Sequence, residues 1–463
     1  MHTNIGVRCA LRNATQGTPM LDSEQLCNHS NTEVLELGDP LQMRPVRSVS
    51  LFDSKDMLME RFAENQAVPV EEQWGIKAFN EFDYAFELTE TKRFAPGDPL
   101  GPFLQSLRDA DADHGRLVDE GLWNLFQRQC VKTRANGEVM QDPRFNEERY
   151  QRAYFVAYYW HSVVRFFYAR ARREAQLFAV PLLWCQAADD IKGLDAQSSS
   201  EKAKIVKALM RHWNIHDTAH LHTLLPLYSG QRVRLTEKIS PEHRIVQETE
   251  GTLIFVVPDP AERELPRTGE VAMAYCPLGA WVCIDDCNTA PLAGELEGKV
   301  DSTAREALNQ FLAVDPRALA QVDSKVKPIR ERLVFIGAVT RTLSRNIAGK
   351  KWLIRRRQLP LTSAMDRTIQ SSQGKTFRGC VIGDMGNMNA DRDAFWSALY
   401  VLLSRATRME DLLLFRCPSK DFFDKGPPQY LKAFLKRLHQ ENGTIEAGRQ
   451  KGNELIKQYK WKA

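Results

Sequence analysis

Chemistry is most legible in two stretches of the last third of the chain. The first, Thr368-Ile369-Gln370-Ser371-Ser372-Gln373-Gly374-Lys375-Thr376, is a polar, glycine-containing loop. It precedes Phe377–Asp384, within which Cys380–Ile382 reads as a short buried strand. The second, Leu399-Tyr400-Val401-Leu402-Leu403-Ser404-Arg405-Ala406-Thr407-Arg408, is an apolar helix or strand that delivers Ser404 and Arg405 at its end. It runs on into an apolar strand, Leu412–Phe415. An arginine fixed at the end of a buried element can be held against an anion, and its planar fork suits phosphate.

Other residues invite chemical readings. Lys350-Lys351-Trp352 and Arg355-Arg356-Arg357 interleave positive charge with an aromatic ring. Such a patch can track a single nucleic-acid strand while a ring stacks on a base, although most charge runs are solvated faces. Gly374-Lys375-Thr376 is not a P-loop, because Ile369 stands where the first glycine of Gly-x-x-x-x-Gly-Lys-Thr is required. His212, His216 and His220 recur at helical spacing with His222 beyond, but no cysteine or carboxylate cluster completes a metal set, and a solvated helix face is expected. Cys276, Cys283 and Cys287 lack zinc-ribbon spacing and are expected to pack as small hydrophobes.

The elements that must position these residues follow from periodicity. Thr32–Leu37 reads as a strand ending at Gly38-Asp39, and Leu51–Phe62 and Phe103–Phe126 are apolar at helical spacing. Pro96-Gly97-Asp98-Pro99 is a turn, and Tyr150–Gln176 a long aromatic and arginine-rich helix. A buried strand follows over Gln176–Cys185, and serines 198–200 cap a helix reaching to about Trp213. Strands are expected at Gln231–Leu235, Thr252–Val257, Val271–Tyr275, Ala280–Ile284, Leu333–Val339 and Lys351–Arg355, with a helix near Ser302–Val314. Amphipathic helices at Tyr430–His439 and Asn453–Lys460 form a basic tail.

A length of 463 residues suggests roughly three domain-sized units. With 43% hydrophobic and 26% charged residues the chain is ordinary for a globular protein, so disorder is not the default. A net charge of only +4 means that any nucleic-acid surface is a local patch. Nine scattered cysteines without paired spacing fit a reducing compartment. No signal peptide shows in Met1–Met20, and Tyr154–Tyr168 is too short, and too interrupted by His161 and Arg165, to span a bilayer. The expectation is a soluble, intracellular protein without a membrane partner.

The two opening stretches resemble motifs V and VI of superfamily-one helicases of the PIF/RecD type, where "TIHKSQG" is followed by "YVALSR". Upstream, Gly38-Asp39-Pro40-Leu41-Gln42-Met43-Arg44-Pro45-Val46 resembles motif III, "GDxxQLPPV". Leu88-Thr89-Glu90-Thr91-Lys92-Arg93-Phe94 resembles motif IV, "LTExxRQ". Four such matches stand in family order, and the resemblance covers about Thr32–Pro418. It implies a nucleotide between two RecA-like lobes, with Arg405 as arginine finger, Arg93 as a second phosphate contact, and Gln42 sensing the γ-phosphate with Asp39 and Gly38. It also implies that Gln373, Gly374, Thr376 and Ser372 meet the nucleic-acid backbone and couple it to the nucleotide site beside Ser404. Lys351, Trp352, Arg355 and Arg356 are the further candidates for nucleic-acid contact. The sequence departs from the family at Gln370 and Ser371, where histidine and lysine are usual, which removes a phosphate contact.

The fold class expected is therefore α/β: a partial first RecA-like lobe, then a second lobe with a small β-rich insertion. The expected boundaries are a poorly patterned segment 1–31, a first-lobe remnant 32–115, and a helical connector 116–174. The second lobe then begins over 175–224, is interrupted by the β-rich insertion 225–360, resumes over 361–417, and is followed by a basic tail 418–463. The implied function is ATP-dependent translocation on single-stranded or partly duplex DNA with unwinding, in genome maintenance in nucleus or mitochondrion. ATP and Mg²⁺ are the implied cofactors, yet no Walker A loop or Asp-Glu strand is found ahead of motif III, so the chain resembles a helicase whose N-terminal part is missing. A non-catalytic nucleic-acid-binding or scaffold remnant, and an RNA helicase of the same superfamily, are the alternatives.

Overall fold

The computed structural model describes residues 93–134, 138–210, 215–285, 306, 332–347, 349–386, 391–438 and 450. The expected elements at Thr32–Leu37, Leu51–Phe62 and Asn453–Lys460 lie outside them, as does Ser302–Val314 apart from residue 306. In chain order the described helices are α1 (Leu100–Asp109), α2 (Glu120–Gln127), α3 (Glu148–Gln151), α4 (Trp160–Leu177), α5 (Ser199–Met210), α6 (Arg392–Leu403), α7 (Lys420–Asp424) and α8 (Gln429–Leu438). The strands are β1 (Tyr154–Ala157), β2 (Leu182–Gln186), β3 (Ala188–Ile191), β4 (Leu224–Leu227), β5 (Arg232–Leu235), β6 (Glu250–Val257) and β7 (Glu270–Ala272). They continue with β8 (Gly279–Ile284), β9 (Leu333–Gly337), β10 (Val339–Ile347), β11 (Lys350–Gln358), β12 (Leu361–Ser363), β13 (Asp366–Thr368), β14 (Val381–Asp384) and β15 (Leu412–Phe415). The fold is mixed α/β. Among the described residues no helix is long and apolar enough to cross a membrane.

The chain divides into two compact units: one holds the residues up to Arg152 and from Ile369 onward, the other Ala153–Thr368. In the first unit β14 and β15 pair in parallel, Val381 opposite Leu412 through Asp384 opposite Phe415. Helix α6 buries Phe395, Trp396, Leu399, Leu402 and Leu403 among others, so it is apolar around most of its circumference and behaves as a core helix. An aromatic cluster anchors the same unit, with Phe103 stacked on Phe126 at 4.4 Å and Trp123 tilted onto Phe423 at 5.2 Å.

The second unit is mainly β. Strands β12, β5, β6, β8 and β9 form a five-stranded antiparallel sheet, and β10, β11 and β3 a three-stranded one. A further sheet joins β4, β2 and β7, and β1 pairs in parallel with β13. One core runs beneath much of this, in which Leu235, Leu253, Val282 and Ile336 pack with Phe167 of α4 and Leu183 and Cys185 of β2.

Two expected helices are corrected. Tyr150–Gln176 is not continuous: the strand β1 interrupts it, because Tyr154-Phe155-Val156-Ala157 is a short apolar run whose hydrogen bonds go to β13. Periodicity alone does not separate such a run from a helical turn. Phe103–Phe126 is likewise two helices, broken at the polar run Asp111–Gly115, where Gly115 takes φ 72°. By contrast, the serine cap is present as a capping box, with Ser198 Oγ and Glu201 exchanging bonds across the start of α5.

The fit of α6 over β14 depends on Gly383. A Cβ there would meet Leu402 Cδ2 at 2.7 Å and Leu414 Cδ1 at 2.8 Å. Gly383→Ala is expected to lower stability by about 1–3 kcal/mol through overpacking, read from the midpoint of a urea unfolding curve.

Candidate functional site

The site is built on the exit of α6. Asp391 caps the helix start by accepting from the Asp393 N–H, and the helix ends at Ser404, whose Oγ donates back to Val401 O at 2.9 Å. The following residue, Arg405, is 0% exposed. Its Nε donates to Val401 O at 2.9 Å, its Nη1 to Lys375 O at 2.7 Å and, at 3.4 Å, to Ser372 O, and its Nη2 to Ser404 Oγ at 2.7 Å. The Arg405 carbonyl in turn accepts from the Phe377 N–H at 2.9 Å. The loop thus closes around this side chain. The expected arginine held out toward an anion is, in this structure, an internal clamp whose three guanidinium nitrogens all donate to protein oxygens.

The loop itself is locally wound. Ser372 Oγ donates to Ile369 O at 2.7 Å, the Lys375 N–H to Ser372 O at 3.1 Å, and Gly374 takes φ 75° to let the chain turn outward. Ser372 is fully buried and spends its hydroxyl on its own turn, so its expected contact with nucleic acid is corrected to a loop-shaping one. Gly374 and Thr376 are exposed, and Gln373 is half-buried. Gln370 Oε1 is buried without a hydrogen-bond partner. Arg93 reaches the same point from far upstream, its Nη1 donating to Ser404 O at 2.8 Å. Its segment runs beside the helix exit, with the Ala95 N–H on Thr407 O and the Met409 N–H on Asp98 Oδ1. The structure therefore brings Arg93, Ser404, Arg405, Ser372 and Lys375 together. Gly38, Asp39 and Gln42 lie outside the described residues.

Sequence reasoning missed the charges that hold the strand leading into the loop. Asp366 of β13 is buried, accepts from Arg170 Nε at 3.0 Å and from Ser363 Oγ at 2.6 Å, and its carboxyl is raised by that burial. Next to it, the buried Arg367 spreads its fork over Glu248 and Glu250, both at 2.6 Å. The signal was an adjacent acid and base, Asp366-Arg367, in an otherwise apolar approach to the loop.

The basic, aromatic stretch splits by strand alternation. In β11, Trp352 and Arg356 turn to the buried face: Trp352 packs with Ile205, Leu209 and Ile354, and Arg356 forms a two-point ion pair with Asp189 at 2.7 and 2.6 Å. Both are corrected from nucleic-acid contacts to core residues, because the period of two hides every second side chain. Lys351 and Arg355 remain exposed. His222 is also interior, its Nε2 against Thr362 Oγ1 at 2.8 Å, and burial beside Arg234 and Arg356 pushes its pKa down to about 3. Cys276 and Cys283 are buried, and burial raises both thiols. Cys287 lies outside the described residues.

No protein-family model and no curated protein matches the chain. Among solved structures it is similar to the Pif1 helicase from Candida albicans, at 14% identity and TM-score 0.44, over 87% of this chain and 67% of that one. It is also similar to Bacteroides Pif1 bound to single-stranded DNA, at 13% identity and TM-score 0.47, over 90% and 70%. A third similarity is to Bacteroides Pif1 in complex with ADP-AlF3 and single-stranded DNA, at 13% identity and TM-score 0.45, over 88% and 67%. The chain spans about two thirds of the length of these structures.

Two outcomes follow from the geometry. Arg405→Ala strips the Lys375 and Ser372 carbonyls of a donor, at a cost of about 1–3 kcal/mol, and amide hydrogen exchange over 372–377 is expected to accelerate more than in α6. His222 is neutral when folded, so its depressed pKa makes the unfolded state bind the extra proton. Stability is then expected to fall as pH drops from about 6.5 towards 3, by about 2 kcal/mol at pH 5 relative to pH 7, a dependence that His222→Gln flattens in urea titrations.

Proposed function

We propose that this chain belongs to a PIF/RecD-type helicase, an ATP-driven motor on single-stranded DNA that separates duplex ahead of it, with RecA-like lobes and a β-rich insertion. One observation carries the reading: the arginines of the motif IV and motif VI resemblances meet at Ser404, and the second of them holds the motif V loop by its carbonyls. Motifs 311 residues apart in sequence share a hydrogen bond, as a machine coupling phosphate to strand requires.

ATP and Mg²⁺ enter as family implications; Arg93 and Arg405 are the described residues that would meet the nucleotide's phosphates, Arg405 only once its guanidinium leaves the protein oxygens that hold it here. Bound nucleotide supplies phosphoanhydride cleavage. What the chain's own residues supply is the exchange of Arg405 between loop carbonyls and an anion, since a guanidinium drawn away from Lys375 O and Ser372 O frees the loop to move. Gly374, Thr376 and Gln373 are then the loop positions that meet the strand. A second reading, a non-catalytic nucleic-acid-binding remnant, is favoured by the full commitment of the Arg405 fork to protein oxygens.

The test is ATP hydrolysis by the purified chain with and without single-stranded DNA, beside Arg93→Ala and Arg405→Lys. The expected result is DNA-stimulated turnover that falls by about 10³-fold in either variant. Salt-sensitive DNA binding without turnover selects the remnant. Neither turnover nor binding sinks both readings.

A further inference from the structure

The three-stranded sheet β10-β11-β3 has one face in the core and one in solvent. On the solvent face β11 presents Lys351, Leu353, Arg355 and Arg357 in alternation, the last of them half-buried. Across the ladder, β10 sets Asn346 opposite Lys351, Ser344 opposite Leu353, Thr342 opposite Arg355 and Thr340 opposite Arg357. Each cation is therefore flanked by a neutral hydrogen-bonding side chain. Leu353 lies between the cations at 48% exposure.

The pairing habits of this sheet single out two of its arginines. Arg341 is bonded twice to Glu237, at 3.0 and 2.8 Å, Arg345 faces Asp217 at 3.5 Å, and Arg356 is held by Asp189. Arg355 and Arg357 have no carboxylate partner among the described residues, although Asp190 stands opposite Arg355 in register. Both arginines, with Thr340, Asp190, Asp189 and Ala188, line a shallow open groove. The charges on the exposed face are thus Lys351, Arg355 and Arg357 against Asp190, and the carboxylate of Asp189 is already neutralised by Arg356.

We propose that this face is a docking surface for the sugar–phosphate backbone of single-stranded nucleic acid, with Arg355 and Arg357 as adjacent phosphate contacts and Thr340 and Thr342 as their neutral partners. The proposal rests on the helicase reading above and locates a second contact region, away from the loop at 370–376. Residues two apart on one strand face are separated by about 6.6 Å, the scale of one extended nucleotide, so a cation row of period two matches a chain that repeats its charge at each nucleotide. Hydroxyl and amide side chains add hydrogen bonds to phosphate oxygens without reading sequence. An acidic protein segment would meet the same cations but has no regular use for the hydroxyl row.

The experiment is fluorescence-anisotropy titration of the full chain with a mixed-sequence single-stranded oligonucleotide across a salt series. The proteins compared are the wild type, the double variant Arg355→Ala/Arg357→Ala, and Arg341→Ala as a paired-arginine control. Expected is about tenfold or greater weakening in the double variant only, with a salt slope shallower by about 1.4 for the two lost phosphate contacts. Wild-type binding that the double variant leaves unchanged overturns this face and spares the helicase reading. No binding by the wild type at low salt overturns both. Displacement of the oligonucleotide by poly-L-glutamate at matched charge concentration assigns the face to acidic protein segments instead.

Discussion

The structure depends on one buried charge. Burying a guanidinium costs several kcal/mol unless its donors are used, and Arg405 meets that requirement with the Val401, Lys375 and Ser372 carbonyls and the Ser404 hydroxyl. Because these acceptors come from both the helix exit and the loop, satisfying the charge is the same event as shaping the site. Arg170, Arg356 and Arg367 solve the same problem differently, each against a carboxylate. Neutral carbonyls attract a guanidinium less strongly than carboxylates do.

How much of this was legible in the sequence depended on how far away the partner lay. The loop at 368–376 and the exit at Ser404-Arg405 could be read because glycine, serine and a terminal arginine carry their conformational meaning locally. The same holds for the serine cap of α5. What Arg405 bonds to was not legible, since Lys375 lies 30 residues away and nothing in either stretch names the other. The β1 strand was missed for the same reason, as its hydrogen bonds go to residues near Met365.

The run Arg355-Arg356-Arg357 shows the limit most clearly. As sequence it is one basic patch; as a strand it is two populations, because alternate side chains face opposite ways. Arg356 meets an acid 167 residues earlier and becomes core, while its neighbours stay at the surface. Register decides which residue is which, and register is a property of the partner strand. Trp352 illustrates it again: the aromatic ring that made the patch look suited to base stacking packs against Ile354 and Ile205.

The segment from Asp366 to Phe377 is anchored at both ends by different physics. On the side of Ala153–Thr368 it is held by ion pairs, the buried pair of Asp366 with Arg170 and those of the buried Arg367 with the partly exposed Glu248 and Glu250. On the side that begins at Ile369 it is held by the Arg405 hydrogen bonds and the Phe377 N–H. Truncating one member of a buried ion pair leaves an uncompensated charge and costs about 3–5 kcal/mol, whereas a charge-assisted hydrogen bond contributes about 1.5–3 kcal/mol. Both ends of the segment therefore rest on buried arginines, Arg170 and Arg367 against carboxylates at one end and Arg405 against backbone carbonyls at the other.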